Sequence, residues 1–367
     1  MVWIILLLAI LVLFAAGVRF ISSRALRSGF AKKLYAEHKR LGRLVSLWPL
    51  ALCVPLGIIA GTVGAIVAFL HIVVIWTLCD LIGFIVNKIK KRERSSRYLN
   101  GYIAVGITAV YLCAGWYFAH HVFRTDYTLH TGKTLGQESL RIALIADAHL
   151  VTTLDEDGLE DVIDRINDDE PDIVTVCGDF IDDDTSKSEM LAGCSALGGL
   201  HAKYGVYFVY GNHDKGYYDN RGYNCDEFEE ALKNSGVRIL CDETELINDS
   251  IYIVGRKDRS DKSRLSAQEL TEKLDRSKYI VMLDHQPNDY KNEAESGADL
   301  VLSGHTHGGH IFPIGPLSLL FGANDKVYGK ENRDGTEFIV TSGVSGWAIP
   351  FKTFSKSEYV IIDVVGQ

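Results

Sequence analysis

Residues 141–149 (RIALIADAH) contain the pattern that decides the fold. A short apolar run from Ile142 to Ala146 is followed at once by Asp147 and His149. An uninterrupted apolar run of this length is typical of a buried strand. In open α/β sheets, ligands bind beyond the carboxyl ends of the strands. The stretch therefore predicts a buried strand whose end presents two side chains of the kind that bind metals.

The same pattern recurs at four later strand ends. In each, polar residues with metal-binding chemistry follow an apolar run, and three of the four contain glycine: Gly178-Asp179, Gly211-Asn212-His213-Asp214, Asp284-His285 and Gly304-His305-Thr306-His307. Segments whose apolar residues have helical spacing separate the early strands, whereas the later sequence is richer in strands. This order predicts an α/β (α+β) fold, a four-layer sandwich in which two mixed β-sheets are flanked by helices.

The strand ends supply oxygen and nitrogen donors and no thiolate. Seven residues are candidate metal ligands: Asp147, His149, Asp179, Asn212, His285, His305 and His307. Seven donors are more than one four-coordinate ion uses, so a shared carboxylate would let them hold two ions. Two such ions clamp a phosphate and allow a metal-bound hydroxide to attack phosphorus near neutral pH. Because imidazoles are numerous, we expect manganese, with iron or zinc as alternatives, rather than magnesium.

The five blocks, in this order, resemble the calcineurin-like metallophosphoesterase superfamily. Residues 304–313 (GHTHGGHIFP) and the apolar amino-terminal segments resemble its branch of transmembrane proteins with a metallophosphoesterase domain. The resemblance covers residues 138–365. It implies that Asp147, His149 and His307 bind one metal, that Asn212, His285 and His305 bind a second, and that Asp179 bridges both.

The resemblance also implies that His213 lies beside the metals without binding them and that Asp214 orients its ring. His213 is then placed to protonate the leaving oxygen, which favours a phosphodiester or pyrophosphate substrate over a monoester. His310 receives no role from the resemblance, and both a substrate contact and a place on the surface or behind the ligands remain open. The acidic run of residues 182–184 is interpreted as a solvated loop rather than an extension of the metal site.

The amino-terminal third has the composition of a membrane region. Residues 1–124 hold 15 Lys and Arg against 3 Asp and Glu, whereas residues 125–367 hold 23 against 44. Residues 1–22 are apolar over about the length that spans a bilayer. A cleaved signal peptide is the alternative, but no Lys or Arg precedes Arg19, which favours an uncleaved anchor.

Three further crossings complete a region of about four transmembrane helices. The apolar run 45–87 would reach ~65 Å as one helix, twice the ~30 Å of a bilayer core. It therefore predicts two crossings with a turn near residues 64–71, and residues 101–123 predict another. Because the loops 23–44 and 88–99 are rich in Lys and Arg, both are expected in the cytoplasm. The domain that follows is then extracytoplasmic.

These observations predict three segments: a membrane region (1–124), a linker (125–139) and a metallophosphoesterase domain (140–367). The predicted function is that of a membrane-anchored, dinuclear metal-dependent phosphoesterase, and the acidic domain argues against nucleic-acid binding. Residues 311–321 (IFPIGPLSLLF) form either a loop packed on the sheet or an apolar lip beside the site that rests on the bilayer or holds an acyl chain. The second interpretation predicts a phospholipid or a cell-envelope component as the substrate.

The sequence is also compatible with two alternative functions and with one disulfide. Relatives that cleave UDP-2,3-diacylglucosamine suggest a lipid pyrophosphatase, although that reaction is cytoplasmic. A catalytically silent metal-binding membrane protein is the other alternative. A disulfide between Cys225 and Cys241 is also conceivable for an external domain.

Overall fold

The computed structural model describes residues 2–91, 98–216 and 221–366, with side chains from residue 12 onward. The chain divides into two compact units, Met1–Ala114 and Gly115–Gln367. All seven cysteines are free, so the bridge between Cys225 and Cys241 is not formed.

The first unit consists of helices. They are α1 (Val2–Ala25), α2 (Gly29–Glu37), α3 (Lys39–Val45), a 3-10 helix (Trp48–Leu52), α4 (Cys53–Ile59), α5 (Gly61–Ile89) and α6 (Asn100–His120), whose end lies in the second unit. Three described segments are long and apolar enough to cross a membrane: Lys39–Ile59, Gly61–Ile89 and Asn100–His120. Residues 2–22 of the first predicted crossing (1–22) fall in α1. Met1 and the side chains of residues 2–11 lie outside the described part of the chain.

The long apolar run is divided at a different place from the one predicted. The predicted turn near residues 64–71 is wrong, because α5 continues through these residues. The helices break at Ala60 and Gly61, where Gly61 has a φ of +59° and open space around its α-carbon. Glycine adopts this left-handed conformation without a steric penalty, so the break falls at that residue.

The second unit contains all twelve strands of the described chain. The strands are β1 (Val122–Thr131), β2 (Ser139–Ile145), β3 (Ile173–Cys177), β4 (Val206–Val209), β5 (Val237–Ile239), β6 (Glu243–Ile247), β7 (Ile251–Gly255), β8 (Tyr279–Leu283), β9 (Leu300–Ser303), β10 (Gly329–Arg333), β11 (Thr336–Val340) and β12 (Ser357–Gly366). The helices are α7 (Glu156–Asp168), α8 (Lys187–Leu197), α9 (Cys225–Asn234), α10 (Ala267–Thr271), α11 (Tyr290–Ser296) and α12 (Ile314–Leu320).

The strands form two mixed six-stranded sheets. Their orders are β1-β12-β2-β3-β4-β5 and β10-β11-β9-β8-β7-β6. One apolar core lies between the sheets, a second lies between the first sheet and α7, α8 and α9, and a third lies between the second sheet and α10 and α11. The predicted four-layer α/β fold, two mixed sheets flanked by helices, is therefore confirmed.

Helix α7 shows how the sequence sets these layers. Leu159, Val162, Ile163 and Ile166 are spaced along one helical face, and all four are buried against the first sheet. The side chain of Asp155 accepts a hydrogen bond from the amide of Gly158, which caps the start of the helix. The cap fixes where α7 begins, and the apolar residues fix the face that it buries.

The segment 125–139 is not a linker throughout. Its first part belongs to β1, which pairs in parallel with β12 over its whole length. Residues in β1 alternate between exposed and more buried positions, as in an edge strand with one solvated face. Because its partner lies more than 200 residues away, nothing local in the sequence revealed this pairing.

Candidate metal centre

The strand-end turns of both sheets meet at one rim. The backbone amide of His305 donates to both carboxylate oxygens of Asp147, at 2.9 and 3.0 Å, and so joins the turn after β9 to the turn after β2. The amide of His213 donates to Oδ1 of Asp179 at 2.8 Å. Asn212 lines the same cavity as Asp179 and His305. The predicted site residues are therefore brought together from five separate turns.

One group of ligand atoms is formed by Asp147, His149 and His307. Their donor atoms lie within 4.8 Å of one another. Asp147 and His149 are fully buried, and His307 is nearly so. Nε2 of His307 is 3.9 Å from Oδ1 of Asp147. This spacing leaves room for a single metal ion among the three side chains.

A second group is formed by Asp179, His285 and His305, again within 4.8 Å. Nε2 of His285 is 3.1 Å from Oδ2 of Asp179. The same oxygen is 3.6 Å from Nε2 of His149, which belongs to the first group. Asp179 therefore borders both groups through one carboxylate oxygen.

Backbone carbonyls fix the orientation of two of these imidazoles. Nδ1 of His285 donates to the carbonyl of Cys177 at 2.8 Å, and Nδ1 of His307 donates to the carbonyl of Ser345 at 3.3 Å. A carbonyl only accepts, so the proton of each neutral ring lies on Nδ1. Nε2 then carries the lone pair and points at the rim, as in rings that bind metals.

Asp182 is a site residue that the sequence interpretation missed. Its Oδ2 lies 3.0 Å from Nδ1 of His149, and its Oδ1 lies 3.0 Å from Nδ1 of His213. The expectation of a solvated loop holds for Asp184, which is exposed, but is wrong for Asp182. The position of Asp182, three residues after Asp179 in the same turn, was the pattern that could have identified it.

Asp214 does not orient the ring of His213, contrary to the prediction. Its Oδ2 accepts the amides of Asp179 and Gly211 at 2.8 and 2.7 Å, and its Oδ1 accepts those of Phe180 and Ile181 at 2.8 and 3.2 Å. The carboxylate therefore joins the turn after β3 to the turn after β4. Nδ1 of His213 instead contacts Asp182.

The local electrostatics favour the forms of Asp179 and His305 that bind cations. Burial by itself raises the pKa of Asp179, but the nearby imidazoles of His285 and His149 outweigh burial and hold that pKa below its usual value. Burial, with the neighbouring His285, lowers the pKa of His305 to about 4. Asp179 is thus ionised and His305 neutral at pH 7. Burial also raises the pKa of Asp147 to about 6.

The backbone at the rim is strained at five of the predicted ligands. Asp147, His149, Asp179, His305 and His307 have φ values of +54°, +36°, +52°, +68° and +48°. A residue other than glycine in this region costs about 1–3 kcal/mol and persists where the surrounding structure enforces it. Such strain is concentrated at functional sites, and here it coincides with the two ligand groups.

Glycines without room for a side chain pack against the two central carboxylates. A β-carbon on Gly211 would lie 2.1 Å from Oδ1 of Asp179. One on Gly304 would lie 2.6 Å from Oδ2 of Asp147, and one on Gly343 would lie 2.5 Å from the β-carbon of that residue. These glycines, two of which precede a predicted ligand in the sequence, therefore allow backbone to approach the carboxylates closely.

A cavity of about 880 Å³ opens over the rim. Asp179, Asn212, His213, His305 and His307 line its polar side, and the remaining lining residues include Leu150, Val151, Ile314, Val327 and Trp347. His310 also lines this cavity and is buried, with Nε2 3.2 Å from the carbonyl of Ile349. A surface position for His310 is therefore excluded.

Comparison with known proteins agrees with this geometry. The family model described as calcineurin-like phosphoesterase matches residues 140–309. An uncharacterized metallophosphoesterase from Aquifex aeolicus is 33% identical over 249 residues, which cover 66% of this chain and 91% of that protein. A transmembrane protein with metallophosphoesterase domain from Danio rerio is 30% identical over 235 residues, which cover 60% of this chain and 52% of that protein.

Among solved structures, a dimetal phosphatase from Danio rerio aligns with a TM-score of 0.39 at 13% identity, over 60% of this chain and 91% of that one. The family assignment depends on the sequence matches rather than on this structural likeness. The chain belongs to the calcineurin-like metallophosphoesterase family, whose members are metal-dependent phosphoester hydrolases.

Proposed function

We propose that the chain hydrolyses a phosphodiester or a pyrophosphate at a pair of divalent metal ions. Asp147, His149 and His307 hold one ion and Asn212, His285 and His305 hold the other, with Asp179 between them. The family assignment supports phosphoester hydrolysis with divalent metals, and the pairing of ions and the substrate class are the steps that we add.

One observation carries this proposal. Oδ2 of Asp179 faces Nε2 of both His149 and His285, at 3.6 and 3.1 Å. Both Nε2 atoms are buried and form no hydrogen bond within the described residues. Buried polar atoms normally have a partner, and two imidazole nitrogens that converge on one carboxylate oxygen fit metal ions on either side of it.

The chemistry of the proposed metal ligands also suits divalent ions. It consists of carboxylate and amide oxygens and imidazole nitrogens, a combination that suits manganese, iron or zinc. Manganese is the ion that we propose. Two divalent ions held in this way would offset the charge of the phosphate and supply an activated water near neutral pH.

His213 is the residue that we assign to proton transfer. Its ring lines the cavity, and Asp182 holds Nδ1 at 3.0 Å. Burial lowers the pKa of His213, but the hydrogen bond that Nδ1 donates to Asp182 and the charges of Asp179 and Asp182 outweigh burial and raise it. A raised pKa favours the protonated ring, which can donate its proton to the leaving alkoxide. Asp182 acts through His213 and His149 as a positioning residue.

We further propose that the domain is extracytoplasmic and held at the membrane. Three described apolar helices precede it, and relatives are named transmembrane proteins. The many Lys and Arg residues of segments 23–44 and 88–99 favour the cytoplasmic side of the membrane for both segments. Protease added to intact cells should cleave the domain, whereas protection from protease until lysis would place it in the cytoplasm.

The test of function uses the full chain in detergent with manganese. We expect cleavage of a soluble nitrophenyl phosphodiester and two manganese ions per chain. Asp179→Asn should abolish metal binding and activity together, whereas His213→Ala should keep the metals and lose rate. Asp334→Asn, a change of the same chemistry on an exposed residue outside the cavity, is the matched control. Full metal content with no cleavage of any phosphoester in a broad screen would favour a silent metal-binding protein.

A further inference from the structure

An exposed apolar segment, residues 312–321, borders the cavity. We call it the lip. It includes α12, which buries only Gly315. Six large apolar side chains of the lip are exposed: Phe312, Ile314, Leu317, Leu319, Leu320 and Phe321. Leu320 and Phe321 are exposed to 75% and 80%. Exposed apolar clusters of this kind mark surfaces that meet a partner or a membrane.

The lip is also part of the cavity wall. Ile314, Gly315 and Ser318 line the same cavity as Asp179 and His305. One side of α12 therefore faces the proposed substrate space, and the residues at its end are open to the surroundings. Whatever covers the lip is positioned to deliver a substrate to the metal centre.

Residues 351–354 connect the lip to the end of α6. The amide of Phe312 donates to Oγ1 of Thr353 at 3.1 Å, and the rings of Phe312 and Phe354 lie 6.2 Å apart. On the other side, the amide of Lys352 donates to the carbonyl of Gly115 in α6 at 2.9 Å. The lip and the last turns of α6 thus share one short supporting segment.

The last turns of α6 have the composition of a membrane–water interface. This helix is one of the described segments able to cross a membrane. Trp116, Tyr117 and Phe118, near its end, are exposed. Nζ of Lys356 lies 5.0 Å from the ring centre of Phe123, just beyond the helix. Exposed aromatic residues at the end of a membrane helix mark the level of the lipid head groups.

We propose that the lip is seated in the bilayer surface at the end of α6 and that the cavity takes the phosphoester head group of an amphiphile resident in that bilayer. This inference rests on the proposed function, because it names the substrate class of the same site. A lipid surface covers the apolar side chains at the end of α12, and the cavity side of the same helix guides the phosphoester to the metals.

A matched pair of substrates tests the inference. Ethyl p-nitrophenyl phosphate is soluble, whereas hexadecyl p-nitrophenyl phosphate has the same reacting bonds and resides in phosphatidylcholine bilayers. The full chain with manganese, reconstituted in such bilayers, is compared with the triple variant Leu319→Ser, Leu320→Ser, Phe321→Ser. The control triple variant replaces three exposed leucines elsewhere in the domain, Leu191→Ser, Leu246→Ser and Leu265→Ser.

We expect the lip variant to lose tenfold or more of its rate on the hexadecyl ester and less than twofold on the ethyl ester. The control should change less than twofold on both. Equal loss on the two esters, or no loss on the hexadecyl ester, would overturn the proposed substrate class.

A second measurement does not depend on activity. Leu320, or Leu246 as control, is replaced by the photo-crosslinking residue p-benzoylphenylalanine, and lipid adducts are detected by mass spectrometry. We expect adducts at position 320 and none at position 246. Absence of lipid adducts at position 320 would overturn the membrane seat. Adducts there, with no cleavage of either ester by the unmodified chain, would support the membrane seat and overturn the proposed function.

Discussion

Asp214→Asn is the change whose effect follows most directly from the structure. The side chain of Asp214 is buried, and its two oxygens accept four backbone amides. Asparagine has nearly the same shape but only one acceptor oxygen, and its amide group donates. Whichever way the new side chain turns, its NH₂ group faces two backbone amides that have lost their acceptor.

The expected loss of stability follows from the two backbone amides that lose their acceptor. A buried amide left without an acceptor costs about 1–3 kcal/mol, so two of them cost about 2–6 kcal/mol. In a domain of roughly 150–250 residues, 1 kcal/mol changes Tm by about 2–4 °C. We therefore expect Tm to fall by at least about 4 °C. Because the bonds join the turn after β3 to the turn after β4, metal binding should weaken as well.

The assay is thermal unfolding of the full chain in detergent, recorded by intrinsic fluorescence. A chelator is added so that stability is compared without bound metal, and metal content is measured separately. Asp184→Asn changes the same chemical group on an exposed residue and should leave Tm within about 1 °C, as for a surface change. An equal Tm for Asp214→Asn and Asp184→Asn would refute the structural role assigned to Asp214.

Three further predictions follow from the site. Asp182→Asn removes the charge that raises the pKa of His213, so the alkaline limb of the pH–rate profile should move to lower pH; an unchanged profile would exclude this positioning role. Gly211→Ala puts a β-carbon against the Asp179 carboxylate and should weaken metal affinity at least tenfold by calorimetry, whereas Gly132→Ala, which has open space, should not; equal affinities would contradict the packing argument. A chelator should abolish phosphodiester cleavage and added manganese should restore it, while cleavage that persists in metal-free protein would contradict metal dependence.

Much of the fold could be predicted because its strands are local patterns. The apolar run from Ile142 to Ala146 predicts a buried strand, and β2 covers all but the last of these residues, since a buried strand is a continuous apolar run ended by polar residues. Strand β1 could not be predicted in this way. It is half exposed and depends on β12 for its hydrogen bonds, and that partner is visible only after folding.

The site shows the same division between local and non-local information. The predicted ligands each follow a strand, so sheet geometry places those of each sheet along one edge. Packing of the two sheets on each other then brings both edges to one rim. The roles of Asp182 and Asp214 depend instead on contacts between turns. The family resemblance implies that Asp214 orients the ring of His213, but this adjacent carboxylate accepts backbone amides and the more distant Asp182 contacts the ring.

The length of the apolar run 45–87 does not determine where the turn between its two crossings lies. Its length requires two crossings, but several apolar positions could form the turn. The structure breaks the helices at Gly61, where the backbone is left-handed. Positive φ at a single glycine is a conformational property that the hydropathy pattern does not contain.

Anomalous diffraction at the manganese edge, from crystals of the full chain grown with manganese, tests the central claim most directly. We predict two peaks about 3.5–4 Å apart, the separation of two-metal phosphoesterase sites, with the Asp179 carboxylate between them. A single peak, or two peaks of which only one lies within bonding distance of Asp179, would contradict the claim.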